Sequence, residues 1–281
     1  MQYKRTINIK KQGYIVTSRR QSLKAFWLPA VAAFAPIFAL AQTLPGAPPP
    51  EAGAAPPSAT AQKYTNNMYL GYVRSSSGQL NSDAQHGMDA LAAEVKKRTT
   101  LKLAGAVGLN PAQDDLSYFR FIYWPITPDA QPLSDAARQR VQHYMDSGGI
   151  ILFDARDAGG VMRDQRALRR VLADLNIAPL TTLGEGHTLT KTFFLLAKMP
   201  GSSAHGATWV ETNAPKGTEA ISAVIIGENN WADAWAGKTV LPGTKERENA
   251  LRAGINMVLY AYAGNFKTDP INDVLKKMAQ P

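Results

Sequence analysis

Ile150-Ile151-Leu152-Phe153 sets four bulky apolar side chains in a row, with Gly148-Gly149 before them and Asp154 after. A strand with one wet face alternates apolar and polar residues. A run that is apolar on both parities is what a strand covered on both faces requires, and such strands belong to mostly parallel sheets between helix layers. The rest of the chain fits that frame. Met68–Val73 reads as a first strand, followed by the loop Arg74-Ser-Ser-Ser-Gly78. From Ser82 the residues Met88, Leu91, Ala92 and Val95 recur at helical spacing, and Lys96-Lys97-Arg98 sit in the last turn, where cations suit the helix dipole.

Leu101–Val107 predicts a short strand, and the aromatic run Tyr118–Trp124 a buried one stopped by Pro125. Ser134 caps a helix whose apolar face is Ala137, Val141, Tyr144 and Met145, with Leu133 just before the cap. A helix over 163–175 follows Phe153, Val224–Ile226 reads as another interior strand, and Lys245–Ala263 as a final amphipathic helix closed by Gly264. The stretch 177–223 is less regular and is expected to hold β-hairpins or an inserted flap. Strands alternating with helices in this way predict an α/β fold, a three-layer sandwich with a mostly parallel central sheet.

The N-terminal part has a different character. Phe26–Ala41 is an apolar run, too short and too proline-interrupted for a bilayer span, that ends in Ala39-Leu40-Ala41 after a basic stretch. That is the build of a removable secretory signal peptide, residues 1–41. Ser18-Arg19-Arg20-Gln21-Ser22-Leu23-Lys24 resembles the twin-arginine export motif, with Ser22 in place of the usual Phe. Export of a folded protein to the periplasm is the expectation. Twin-arginine signals start close to their motif, and valine codons can initiate translation in bacteria, so Val16 is the expected natural start. Residues 42–64, rich in Pro and Ala, are expected to be a disordered tether, and 65–281 a single α/β domain.

Charge and cysteine narrow the function. The net charge is +9, but residues 1–41 hold seven Lys or Arg and no acid, which leaves +2 for the remainder. That near balance gives no reason to expect nucleic acid or an anionic membrane as partner, nor stable membrane insertion once the signal is removed. The chain has no cysteine, which removes disulfides, thiolate metal sites and every cysteine nucleophile.

Ligands of open parallel sheets gather at the carboxyl ends of the strands. Here those ends carry Ser75–Gly78, Trp124–Thr127 and Asp154-Ala-Arg156-Asp157-Ala-Gly-Gly160. In the last loop Asp154 or Asp157 is a candidate base and Arg156 a candidate anion holder; alternatively Asp154 caps the next helix or pairs with Arg156. Glu185 and His187 stand two apart. The other histidines are scattered, with no H-E-x-x-H, and no G-x-S-x-G occurs, so no metal and no cofactor are expected. Trp231 and Trp235, four apart beside Asp233, make either a stacking platform for a sugar ring or core packing.

Together "YWPITPDAQPLSDA", "GGIILFDARD", "HTLTKTFFLL", "NNWADAWA" and "PGTKERENALRAGINMVLYAYAGNFKTD" resemble the bacterial domain of unknown function 4159 family, over about Met68 to Asp269. The resemblance implies a class I glutamine amidotransferase-like (flavodoxin-like) fold. Its motifs fall on Asp154 and Asp157; on His187, Thr190 and Phe193–Leu196; on Asn230–Ala232; on Glu246–Glu248, where Glu246 departs from the usual residue; and on Asn265–Asp269. The family's terminal histidine has no counterpart, since Pro270-Ile271-Asn272 follows. Without cysteine the amidotransferase reaction has no nucleophile. The expectation is a non-catalytic envelope protein that recognises a protein partner or a small polar ligand. Asp154, Arg156, Asp157, His187 and Trp231 would surround its strand-end crest, with Trp124 and Asp233 as further ligand-binding candidates. Two alternatives stand beside it: a hydrolase using Asp154 or Asp157 with His187, and glycan binding through Trp231 and Trp235.

Overall fold

The computed structural model describes residues 59–155, 165–202, 206–212 and 221–263. The expected signal peptide, the tether up to residue 58, Arg156, Asp157, His205 and the segment from Asn265 lie outside the described residues. The chain order is helix α1 (Ala59–Asn66), strand β1 (Met68–Val73), α2 (Gly78–Arg98), β2 (Leu103–Leu109), β3 (Phe121–Ile126), α3 (Asp135–Asp146), β4 (Ile150–Ala155), α4 (Arg166–Leu172), β5 (Leu180–Thr182), β6 (Thr208–Glu211), β7 (Val224–Gly227), α5 (Trp231–Ala236) and α6 (Lys245–Ala263).

All seven strands join one sheet in the order β2-β1-β3-β4-β7-β6-β5. The first five are mutually parallel, while β6 runs antiparallel to β7 and β5 antiparallel to β6. The fold is thus α/β around a mostly parallel mixed sheet, as the alternation of elements predicts. The strand pleat distributes the core between two layers. Ile150 and Leu152 of β4 join Phe121, Tyr123 and Ile225 under α2, α5 and α6. Ile151 and Phe153 join Ile122, Trp124, Val224 and Ile226 under α3 and α4. All four β4 side chains are buried, each worth about 1.5–3 kcal/mol on removal from water.

Three differences from the expectations, at the tether, the start of α2 and Pro125, have local causes. The tether was to reach residue 64, but 59–66 are helical: the Tyr64 ring packs on Tyr69, Tyr118 and Phe119 at 5.6, 5.9 and 5.3 Å. Helix α2 begins at Gly78 rather than Ser82, because the Ser77 hydroxyl caps it by accepting from the Leu80 N–H. The irregular stretch supplies the antiparallel strands β5 and β6, with a long loop and a 3₁₀ turn at Thr188–Lys191 between them.

Pro125 does not stop β3, which runs to Ile126. The reason lies in which way its nitrogen points. The Ile150 N–H donates to the Arg120 carbonyl, so even-numbered β3 residues face β4 and Pro125 faces β1. The β3–β4 ladder therefore continues to Ile126↔Ala155, whereas the β1–β3 ladder ends at Tyr72↔Tyr123. Proline has no N–H to give the Val73 carbonyl, and the two strands part there.

The free edge of β2 is blocked from α2. Asp89 accepts from the Ala106 N–H at 2.8 Å and the Gln85 amide donates to the Ala106 carbonyl at 3.1 Å. Both outward-facing groups of that residue are thereby denied to another strand.

Candidate functional site

Strand β1 is followed in space by β2 on one side and β3 on the other, so the chain reverses its direction of winding between β1 and β3. In open sheets that reversal leaves a crevice at the carboxyl ends of the two strands. Here Pro125 widens it by ending the ladder early, and a cavity of about 490 Å³ occupies the position. Its floor is apolar: Val73, Trp124, Pro125 and Val171.

Three loops form the walls. The β1–α2 loop is fixed by Asn81, whose Oδ1 accepts from the Ser75 N–H at 2.7 Å and whose Nδ2 donates to the Ser75 carbonyl at 2.9 Å. The β3–α3 loop is tied to α4 by Arg170, which donates to the carbonyls of Ala130 and Pro128 at 2.9 and 2.7 Å. The third wall is Asn110–Ala112, after β2. Across the mouth, the Ser76 hydroxyl donates to Asp129 Oδ2 at 3.2 Å. Hydrogen bonds from the Thr127 hydroxyl, from its own backbone and from Ser76 hold the Asp129 carboxyl below its ordinary range. The Arg74 guanidinium stands on the rim, 3.9 Å from Asp114.

A cation, a carboxylate, hydroxyls and the Gln131 amide over an apolar floor can grip a small molecule bearing both donors and acceptors. Among the described residues, the carboxylate bonded to a cavity hydroxyl is Asp129, and a carboxylate whose pKa is lowered is a weaker base toward serine than an ordinary one.

Those residues expected around the β4 crest that are described, Asp154, His187 and Trp231, have other tasks. Asp154 is fully buried instead of standing on an exposed turn. It accepts from the Tyr123 hydroxyl at 2.9 Å, the Asn230 N–H at 3.1 Å and the Trp231 N–H at 2.8 Å. Asn230, at φ 46°, takes the left-handed turn that aims both backbone donors at this carboxylate. Asp154 does cap a helix, but α5, which follows β7, rather than the next helix in the chain. Trp231 and Trp235 are 0 % exposed, and their ring nitrogens donate to the carbonyls of Met199 and Ala250. No stacking platform exists, so glycan binding through this pair is ruled out. Asp233 is buried too and accepts from the Asn230 amide at 2.8 Å.

His187 is half-buried at the start of the 3₁₀ turn, where its Nδ1 accepts from the Leu189 N–H at 3.1 Å. Burial, and then the nearby Lys191, push its pKa down. The ring packs on Tyr260 at 5.9 Å, and the Tyr260 hydroxyl accepts from the Ser222 N–H ahead of β7. Asp154 pairs with Gly227 at the far end of that strand. Ser222 precedes Gly227 by five residues, about 17 Å of extended chain. Asp154 thus stands at the carboxyl ends of the strands while His187 packs toward the start of β7, and no hydrogen bond joins the two. Of the expected ligand-binding residues that are described, only Trp124 lines the cavity, on its floor. Among the described residues no group of three or more His, Asp or Glu could hold a metal ion.

The profile of the domain of unknown function DUF4159 matches residues 69–262. The chain belongs to this family. No curated protein matches it. The segments that carry the DUF4159 likeness are largely architectural here. Arg247 donates to the Trp235 carbonyl at 2.8 Å, closing α5 against α6. Glu248 takes a two-pronged hydrogen bond from Arg98 at 2.7 and 2.8 Å, joining the end of α2 to α6. The Thr190 hydroxyl donates to the carbonyls of Glu185 and His187.

Two polar anchors escape a reading by motif. Asn81 sets the cavity wall, and its sequence neighbourhood gives no sign of that. Asn256 is fully buried in α6 and left a signal: it is a lone polar residue on the stripe Ala253, Asn256, Met257, Tyr260.

Proposed function

We propose that this chain is an exported recognition module of the cell envelope. In this reading residues 1–41 direct export by the twin-arginine route to the periplasm, and 65–281 form one domain. The domain keeps a class I glutamine amidotransferase-like fold without its reaction, since the chain has no cysteine. It binds a small polar ligand, or a polar group of a partner protein, in the crevice between β1 and β3. It takes no nucleic acid and does not insert stably into membranes. The observation that carries the reading is the crevice itself: the ladder ends at Pro125 exactly where the winding reverses, and polar groups from three anchored loops converge above an apolar floor.

Thermal unfolding of the full chain against a panel of small polar metabolites tests it. A ligand present at about 100 times its Kd stabilises by about 2.7 kcal/mol. The exposed pair Arg74→Glu and Asp129→Lys should remove that shift and leave the unliganded melting temperature within about 2 °C. A ligand that stabilises both proteins equally refutes the crevice as the site. If no compound shifts the melting point, envelope extracts passed over both proteins decide: identical capture by the two counts against the proposal.

A further inference from the structure

Lys191-Thr-Phe-Phe-Leu-Leu-Ala-Lys198 leaves the fold as a loop with an apolar outer face. Its backbone is held from below. Asn256 Oδ1 accepts from the N–H groups of Phe193 and Phe194 at 3.2 and 2.8 Å, and its Nδ2 donates to the carbonyls of Leu189 and Phe194 at 3.0 and 2.8 Å. The Leu196 N–H donates to the Thr190 carbonyl at 2.8 Å. Phe194 turns inward, under the Arg252 guanidinium at 5.1 Å. Phe193 and Leu195 turn outward and are 49 % and 87 % exposed. Two large apolar groups in water oppose the hydrophobic effect, and a fully used buried amide keeps the backbone from folding them in.

The charges within the segment itself have one sign. Residues 186–210 contain Lys191 and Lys198 and no acid. Both lysines are exposed, and among the described residues neither forms an ion pair. We propose that this loop is a membrane-contact tip. Phe193 and Leu195 enter the interfacial zone of an anionic bilayer, while Lys191 and Lys198 lay their aliphatic stems along them and reach the lipid phosphates. A protein partner would have to supply a pocket for a side chain as prominent as Leu195 and acids on both sides of it; a fluid, uniformly negative surface meets both demands without a dedicated shape. The contact is shallow and reversible, and no helix among the described residues is long and apolar enough to cross a membrane. The near balance of charge outside residues 1–41 conceals this local run of cations.

The absence of cysteine allows a local test on the full chain. Leu195→Cys carries an environment-sensitive fluorophore, and Leu241→Cys, at a second exposed leucine (70 %), is the control. A local probe separates the loop from any vesicle binding through residues 1–41. With phosphatidylglycerol–phosphatidylcholine vesicles the Leu195 label should shift to the blue and be quenched by lipid-borne bromine, while the Leu241 label stays aqueous. Pure phosphatidylcholine should give a weaker response. Adding Lys191→Glu and Lys198→Glu should weaken the anionic response at least about tenfold, since each basic residue near such a surface counts for about a factor of five. The proposal is overturned if the Leu195 label stays aqueous on anionic vesicles or responds no more than the Leu241 label. A blue shift without lipid that grows with protein concentration, or with an added lipid-free envelope extract, also overturns it, in favour of a second copy or a protein partner.

Discussion

Replacing Asp154 with alanine takes one carboxylate from three donors at once: the Tyr123 hydroxyl and the N–H groups of Asn230 and Trp231. Each donor left unpaired in a buried place costs about 1–3 kcal/mol. The methyl group leaves room for partial rehydration, which favours the lower half of that range, so the total is about 3–6 kcal/mol. For a domain of this size each kcal/mol moves the melting temperature by about 2–4 °C, and the expected fall is about 6–24 °C. Tyr123→Phe deletes the donor together with its bond to Asp154 and should cost only about 1–2 kcal/mol.

The two changes should not add. Once Asp154 is gone, Tyr123→Phe removes an orphan instead of a bond, so the double variant should be more stable than the sum of the two losses implies, by about 2–4 kcal/mol. Differential scanning calorimetry on the four proteins measures this cycle. A solvent-facing catalytic or ligand-binding aspartate would behave differently, because surface substitutions usually stay within about 0.5 kcal/mol. If Asp154→Ala melts within about 1 °C of the parent, or the cycle shows no coupling, the capping account of Asp154 is wrong.

Two further expectations concern pH. The Arg98 guanidinium, hydrogen-bonded to Glu248, holds that carboxyl at about 2, below its ordinary 4.5; its stabilisation is complete above about pH 4.5 and is lost as pH falls toward 2. Because the pair is largely at the surface, the loss should stay below about 1 kcal/mol, and Glu248→Gln should flatten urea-unfolding stability across that window; an unchanged slope would tell against the pair. His187 has its folded pKa below the ordinary 6.5 because of burial and Lys191, so the unfolded chain binds the proton more tightly, and stability should be full above pH 6.5 and decline on acidification below it. His187→Gln should remove that decline, and a decline of the same size in the variant would assign it to other groups.

What could be read from the sequence, and what could not, follows from the range of the interactions. The interior position of Ile150–Phe153 was legible because a run apolar on both parities admits few other environments. The aromatic strand is legible too, but not its continuation through Pro125 to Ile126. Whether a proline breaks a ladder depends on which neighbour its nitrogen faces, and that is fixed only once β1 and β4 are placed on either side. Asp154 shows the same limit. Sequence can say that an aspartate at a strand end caps something, yet its partner is 77 residues away, on the far side of β7. The tryptophan pair was ambiguous because spacing four serves a core and a platform equally well. Residues 59–64 looked like a tether by composition, and a single aromatic, Tyr64, was enough to anchor them.

The shift of the candidate site from β4 to the gap between β1 and β3 has a physical basis. At its carboxyl end β4 is flanked on both sides, with Asp154 opposite Pro125 in one register and Gly227 in the other. No gap can open there, and the acid at that position is drawn inward to satisfy a helix start. Strand β3 has a bonded neighbour at its end only on the β4 side, so the side facing β1 is where backbone separates and side chains from three loops can meet. A substitution that restores the missing donor probes this directly. Pro125→Val would supply an N–H aimed at the Val73 carbonyl, extend the β1–β3 ladder by one bond worth about 0.5–1.5 kcal/mol, and narrow the crevice. The variant should melt higher than the parent while losing the ligand-induced shift. Greater stability with undiminished ligand binding would show that the parting of these strands is not what makes the site.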